Sequence, residues 1–449
     1  MEFNKLIERF GVAAPIALMT RVLAQGFAGS SLDGVFEANR NSQYPFNAKF
    51  SAIALAVADV ALCCSENFNQ SYKKHKENLG ISLQSFYSKI NGTETSVSEA
   101  TVSSSAAKAI ALQDELNFRP WEIIRGYRFL AVDGNVLAKT DKRLGVLRES
   151  KGAPMPGKVV ARFDLQRQIF DRAYLIEDGH AQETGMCDRV ASDLSPDDVI
   201  VADRMYCIIS FFESIAGSKA HFIIRQHGRL HGILIGKRKR IGRCSTGMVY
   251  EQALKVSKAE DSMIVRRITI ERDEPTRDGE MEVHLLSSLP LEIDALQIAN
   301  IYRLRWDEEN AFHVLQMTFT CELATVGHPR AALFLFSMAM LAFNLRQVIL
   351  ASLYAEHSEK DVSEVSNFHL SKEVSDTTIG MLIVIPEEAW IAFTPKTNSS
   401  VAKLLRRISS KINLANYRKS KRGPRKKPPK RSHNPPRTHT STARLLNLV

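Results

Sequence analysis

Several absences narrow the field before any motif is read. The six cysteines (Cys63, Cys64, Cys187, Cys207, Cys244, Cys321) form no CxxC pair and no ligand-like spacing, which argues against a structural zinc site or a disulfide framework and fits a reduced cytoplasm. No apolar run reaches the roughly 20 residues that a membrane span needs. Ala331–Phe343 stops after 13 residues at Asn344, Arg346 and Gln347, and Phe50–Cys64 is broken by Asp59. Both read as buried core helices, so no membrane partner is expected. The first residues, MEFNKLIERFG, mix acids with bases and lack a cleavable small-residue site after a hydrophobic core, so no secretory signal is expected. Between Arg418 and Arg437 there is no acid at all, and between Arg204 and Ile301 no tryptophan.

What is present is a chain of 449 residues, 44% apolar, long enough for two or three domains. Its net charge of +11 is concentrated: ten Lys or Arg fall between Arg418 and Arg437, Arg425, Lys426 and Lys427 among them. The rest is close to neutral. This proline-rich stretch has no apolar period and reads as an extended basic tail whose natural partner is a polyanion such as nucleic acid.

Hydrophobic periodicity divides the remainder. Residues 1–120 read as an all-helical N-terminal domain in which ISLQSFYSKI and the helix after it faintly suggest a helix-turn-helix for DNA ends. From Tyr127 the period becomes strand-like. YRFLAVDG closes in Asp133-Gly134, KVVARFDL and RQIFDRAYLIE follow, Val199–Ala202 stops at Asp203, and HFIIR closes the series at Arg225. The pattern is α/β, with residues 121–225 and 286–355 as two parts of one core. Carboxylates just past strand ends are where open α/β sheets place ligands.

Residues 226–285 alternate basic and β-branched residues and read as a β-strand insertion with a cationic face. Lys237, Arg238, Lys239 and Arg240 form its unbroken basic run, expected to contact DNA. His227 and His231 have a helical ligand spacing, but flanking glycines argue against a metal there. Residues 356–415 read as a C-terminal helical region and 416–449 as the disordered basic tail.

The densest chemistry is in IYRLRWDEENAFHVLQ, Ile301–Gln316. Read as one helix turning about 100° per residue, it gathers Tyr302, Arg305, Glu309 and Gln316 on one face, with Glu308 about 100° away from Glu309. An ordinary amphipathic helix would line such a face with aliphatic residues. Asp294 is a good N-cap for the helix, with Gln297 three residues on and Ile293 and Ile298 at the staple positions.

Tyr302, two residues, Arg305, three residues and Glu309 together resemble the Tyr-Arg-Glu-Lys signature of bacterial DDE transposases of the insertion sequence 4 family, and Asp133 in FLAVDG and Asp203 in VIVADRMY resemble that family's two aspartates. The resemblance implies a ribonuclease H-like catalytic core with an inserted β subdomain. It also implies cut-and-paste cleavage and strand transfer on double-stranded DNA, both inverted terminal repeats and target, by a homodimer in the bacterial cytoplasm, at the nucleoid. Asp133, Asp203 and Glu309 would be the catalytic metal ligands for Mg²⁺ or Mn²⁺, two ions per site, with Tyr302 and Arg305 on phosphates. The chain departs from the signature at Gln316, where the family has lysine. The alternatives are a catalytically impaired DNA-binding relative acting as a repressor, and a ribonuclease H-like nuclease without strand transfer.

Overall fold

The computed structural model describes residues 8, 10, 13–43, 48–258, 261–276, 278–384, 397–420, 423 and 438–449. Arg425, Lys426 and Lys427 lie outside them. The helical period of the first part forms α1 (Pro15–Ala28), α2 (Ser31–Asn39), α3 (Phe50–Ala61), α4 (Phe68–Leu79), α5 (Leu83–Gly92) and α6 (Thr95–Glu115). Asp59 does break the apolar character of α3: it is buried and held by Lys74 Nζ at 2.6 Å and His75 Nε2 at 2.8 Å from α4.

The strands are β1 (Arg128–Leu137), β2 (Ala153–Met155), β3 (Gly157–Asp164), β4 (Ile169–Ile176), β5 (Asp198–Ala202), β6 (His221–Arg225), β7 (Ile233–Cys244), β8 (Gly247–Lys258), β9 (Asp261–Arg272), β10 (Glu282–Ser287) and β11 (His439–Ser441). Nine form one mixed sheet in the order β4-β3-β1-β5-β6-β10-β9-β8-β7. β1, β3 and β4 are antiparallel neighbours, whereas β1, β5 and β6 run parallel. Helix α7 (Cys187–Ser192) leads from β4 into β5, and α8 (Ile209–Gly217) connects the parallel neighbours β5 and β6. Between β10 and the end of the core come α9 (Ala295–Leu304), α10 (Trp306–Thr318) and α11 (Pro329–Tyr354), followed by α12 (Asn367–Val384) and α13 (Asn398–Ser409).

Side-chain alternation along β1 feeds two cores. Phe129 and Ala131 join the large cluster under the helices; Leu130 and Val132 join the smaller one with α7 and α8. The spine of the large cluster is α11. By length and composition α11 is apolar enough to cross a membrane, yet its most apolar window is 94% buried within the protein, against α6, α3, α1 and β4. Its Asn344 has a structural task. A register shift in the β3–β4 pairing bulges β4 at Asp171, and Asn344 accepts from the Phe170 N–H at 2.9 Å and donates to the Phe170 carbonyl at 2.8 Å. A polar residue in an apolar helix thus satisfies the backbone freed by a bulge.

Residues 226–285 form strands that extend the core sheet: β10 pairs antiparallel with β6, and β9, β8 and β7 continue it outward. Two expectations need correction. The Asp133-Gly134 pair is no turn, because β1 continues to Leu137 against β3. Nor is the expected disordered tail 416–449 disordered at its end: within the described residues 438–449, β11 pairs in parallel with β2 and Arg444 donates to Asp178 at 2.7 Å.

Candidate active site

Strand register does the first assembling. The parallel β1–β5 ladder ends at Val132↔Ala202, so Asp133 and Asp203 are the next residue on each strand and emerge side by side. Asp133 is also held from the other edge, by pairing with Ala161 of β3. Its Oδ1 accepts from the Gly134 N–H at 2.9 Å. Asp203 Oδ1 accepts from the Met205 N–H at 2.7 Å, capping the short 3₁₀ turn Arg204–Tyr206. One oxygen is thereby given to a local turn.

The signature segment supplies the rest. Asp294 caps α9 through the Leu296 N–H at 2.9 Å. The expected single helix is broken: α9 ends at Leu304 and α10 starts at Trp306. Around Arg305 the bonds are of the tighter i→i−3 kind, Arg305 N to Tyr302 O at 3.3 Å and Glu308 N to Arg305 O at 3.1 Å. The uniform rotation of 100° per residue therefore does not carry through the segment. Arg305 still faces the aspartates. Its Nη2 lies 2.6 Å from Glu309 Oε1 and its Nη1 3.4 Å from Asp133 Oδ2, while its guanidinium carbon stands 5.9 Å from the Tyr302 ring centroid. Gln316 Nε2 reaches Asn135 Oδ1 at 3.3 Å, two residues along β1 from Asp133.

Asp133, Asp203, Tyr302, Arg305, Glu309 and Gln316 are thus gathered at one end of the parallel strands. Lys237, Arg238, Lys239 and Arg240 are not. They lie on β7, the far edge strand of the sheet, where Arg238 pairs with Glu271 at 2.7 Å and stacks on Tyr250 at 4.0 Å. The basic run is a surface of its own.

The electrostatics are those of crowded acids. Burial pushes the Asp133 carboxyl up to about 6; Arg305 and the Gly134 N–H pull it down, and Asp203 and Glu309 push it further up. Burial likewise raises the Tyr302 phenol, opposed by Arg305. Among the described residues, no group of three His, Cys, Asp or Glu side chains is disposed to hold a metal ion as it stands. The Arg305 guanidinium bridges Asp133 and Glu309, one positive charge shared between two carboxylates.

Two site residues escaped the sequence reading. Glu308, expected to face away, is 0% exposed and lies within electrostatic reach of Asp133. Tyr206 is buried beside it, with Glu183, Asp133 and Glu308 all raising its phenol above the ordinary range after burial itself. A glutamate at a helix position that the core covers is the only sequence signal for the first; nothing marked the second.

Comparison with known proteins adds one finding. Residues 150–345 match the family model described as a transposase DDE domain. The match spans Asp203 and Glu309 and begins after Asp133. It supports a transposase of the DDE kind, and the mixed sheet with its flanking helices fits such a domain. No curated protein matches the chain.

Proposed function

We propose that this chain, carrying a transposase DDE domain, is a metal-dependent DNA transposase that binds the inverted terminal repeats of a mobile element, cuts them and joins the ends to target DNA. The observation that carries the reading is the register that sets Asp133 beside Asp203, with Arg305 tying Asp133 to Glu309. The strand order β4-β3-β1-β5-β6, antiparallel then parallel, supports a ribonuclease H-like core of the insertion sequence 4 kind.

The donor chemistry fits a hard divalent cation. Asp133, Asp203 and Glu309 offer only oxygen, the ligand type suited to Mg²⁺ or Mn²⁺, and the Asp133 carboxyl, raised first by burial and then by its acidic neighbours, is a group that such a charge would hold ionised. When bound, a pair of ions would supply Lewis-acid activation of the attacking oxygen and charge stabilisation on the leaving one.

The protein's own residues do the rest. Arg305, once relieved of the two carboxylates, can fork onto a backbone phosphate, a geometry lysine lacks. Tyr302 presents a protonated hydroxyl to the same strand, and burial, which raises its phenol further, keeps it so. Gln316 donates an amide hydrogen bond where a cation would add charge. The exposed run Lys237–Arg240 on β7, and beyond the described residues Arg425, Lys426 and Lys427, would hold the duplex by sequence-blind, salt-sensitive contacts. A homodimer would pair the two element ends.

Incubating the protein with its own element ends in Mg²⁺ should yield nicked product, and Asp133→Ala should abolish cleavage while leaving end binding intact. Cleavage by the alanine variant at the parental rate would remove the assignment. End binding without cleavage by any variant would favour the repressor reading, and cleavage without joining of pre-cut ends the nuclease reading.

A further inference from the structure

The register that brings Asp133 and Asp203 together extends one strand further. Ala202 of β5 also pairs with Ile224 of β6, so the next residues on the three parallel strands are Asp133, Asp203 and Arg225, two acids and a guanidinium in one row. Arg204, directly after Asp203, opens the short 3₁₀ turn and adds a second guanidinium. Arg225 is felt in the signature segment as well: the Tyr302 phenol, raised by burial, is drawn back down by Arg305 and then by Arg225. Cations therefore stand at both ends of the row of carboxylates, Arg305 beside Asp133 and Glu309, Arg204 and Arg225 beyond Asp203.

Arg204 and Arg225 are both engaged from the connection between β9 and β10. Gly279 there takes φ +87°, a left-handed backbone that suits glycine, and Thr276 closes the turn. Its N–H donates to the Glu280 carbonyl at 2.9 Å, its carbonyl accepts from the Gly279 N–H at 2.9 Å and its hydroxyl accepts from the Glu280 N–H at 3.1 Å. Glu280, fixed by this turn, divides its carboxylate: Oε1 lies 3.4 Å from Arg204 Nη1, and Oε2 pairs with Arg225 Nη2. Asp278 Oδ2 lies 3.5 Å from the other terminal nitrogen of Arg204. Stability does not account for the arrangement. The side chains of Arg204, Asp278 and Glu280 are 42%, 42% and 39% exposed, and ion pairs so open to water contribute little to folding. A carboxylate that gives one oxygen to each of two guanidiniums does, however, reproduce the way the two non-bridging oxygens of a phosphodiester are held between arginines.

Resting on the reading of this end of the sheet as a DNA-cutting site, we infer that Glu280, assisted by Asp278, is a built-in stand-in for a DNA phosphate: it occupies Arg204 and Arg225 in the DNA-free protein and is displaced when a backbone phosphate of the bound strand takes its place. The contact is a competitor carried by the protein itself. It lowers affinity for every duplex by the same factor, which keeps weak, sequence-blind encounters from filling the site while an element end, held by further contacts, tolerates the loss.

The test is a fluorescence-anisotropy titration of the full-length protein against a labelled duplex carrying one element end, without divalent cation so that binding is read apart from cleavage, at low and at high salt. Glu280→Gln keeps the size of the side chain and removes its charge. Affinity should rise about fivefold at low salt and by less at high salt, where the internal pairs are already screened. In an Arg204→Gln/Arg225→Gln background, which should bind the duplex more weakly, adding Glu280→Gln should change nothing. If that background does not fold, Arg225→Gln alone takes its place, and the gain should shrink there. An undiminished gain without the arginines would reduce Glu280 to one negative charge near DNA, and unchanged or weaker binding by Glu280→Gln in the parental background would make it a support for Arg225. Either result overturns the inference and leaves the transposase reading standing. Failure of the parent to bind the duplex at either salt concentration overturns both.

Discussion

The two ends of β1 carry similar residues and do opposite things. At its start, Arg128 donates to Asp164 at 2.8 Å and to Asp171 at 2.7 Å, and the buried Arg162 forks onto Asp171 at 2.9 and 2.8 Å and donates its remaining nitrogen to the Asp193 carbonyl at 3.0 Å. Burial pushes the Asp171 carboxyl up, but Arg162 and Arg128 together outweigh it and hold the group below its ordinary range. The network is complete. At the other end, one arginine is shared between Asp133 and Glu309, Asp133 sits at about 6, and Glu308, Tyr206 and Asn135 have unused atoms. A closed set of charges is a brace, whereas an open set is poised for something the protein does not contain.

The largest effect expected is at the closed end. Asp171→Asn leaves Arg162 buried against a group that no longer matches its charge, and should lower unfolding stability by about 3–5 kcal/mol in chemical denaturation. A cost under 1 kcal/mol would mean that the network is ornamental. The open end should respond with the opposite sign. The folded-state pKa of Asp133, about 6, lies above its ordinary value of 3.8, so the folded state binds the extra proton and stability is lost as pH rises through that window. Asp133→Asn should therefore gain roughly 1–2 kcal/mol above pH 6, with the gain vanishing near pH 4. Only part of the shift is counted, because 25% of the side chain remains exposed. A variant equally stable at all pH values would contradict the strained state of that end.

Smaller effects sharpen the contrast. Gln316→Lys adds a charge beside Asn135 at the open end, and end-DNA binding should tighten several-fold, with the slope of log affinity against log salt steeper by about one. An unchanged slope would place Gln316 away from the phosphates. The surface pair Asp178–Arg444 sets the lower bound. Burial pushes Asp178 up, but hydrogen bonds from Arg444, Ser441 and the His180 N–H together outweigh it and hold the carboxyl at about 2. Its depressed pKa stabilises the docked end of the chain above pH 3.8, and that contribution disappears as pH falls through 2. Hydrogen exchange in residues 438–449 should rise over that range with little change in global unfolding.

Much of the site was legible in local sequence, because its parts sit at recognisable breaks. Val199–Ala202 stops at Asp203, HFIIR is β6 as written, and Asp294 announces the helix that leads to Glu309. What was hidden depends on partners far away in the chain. Asp133-Gly134 looks like a turn until β3 arrives to extend the strand, and residues 226–285 look independent until β10 pairs with β6. The inward turn of Glu308 follows from the tightened backbone at Arg305, which an ideal helical wheel cannot represent. The basic run Lys237–Arg240 was visible as charge, but its place on the far edge of a nine-stranded sheet was not.

The central claim is that the open end of β1 is a cation site for phosphoryl transfer. Replacing Mg²⁺ by Fe²⁺ and adding ascorbate and peroxide generates hydroxyl radicals that cut the polypeptide next to the bound ion, and the fragments can be mapped by mass spectrometry. Cuts are expected beside Asp133, Asp203 and Glu308–Glu309, and lost in Asp133→Asn. Cleavage confined to other parts of the chain, or a pattern indifferent to Asp133, would contradict the account.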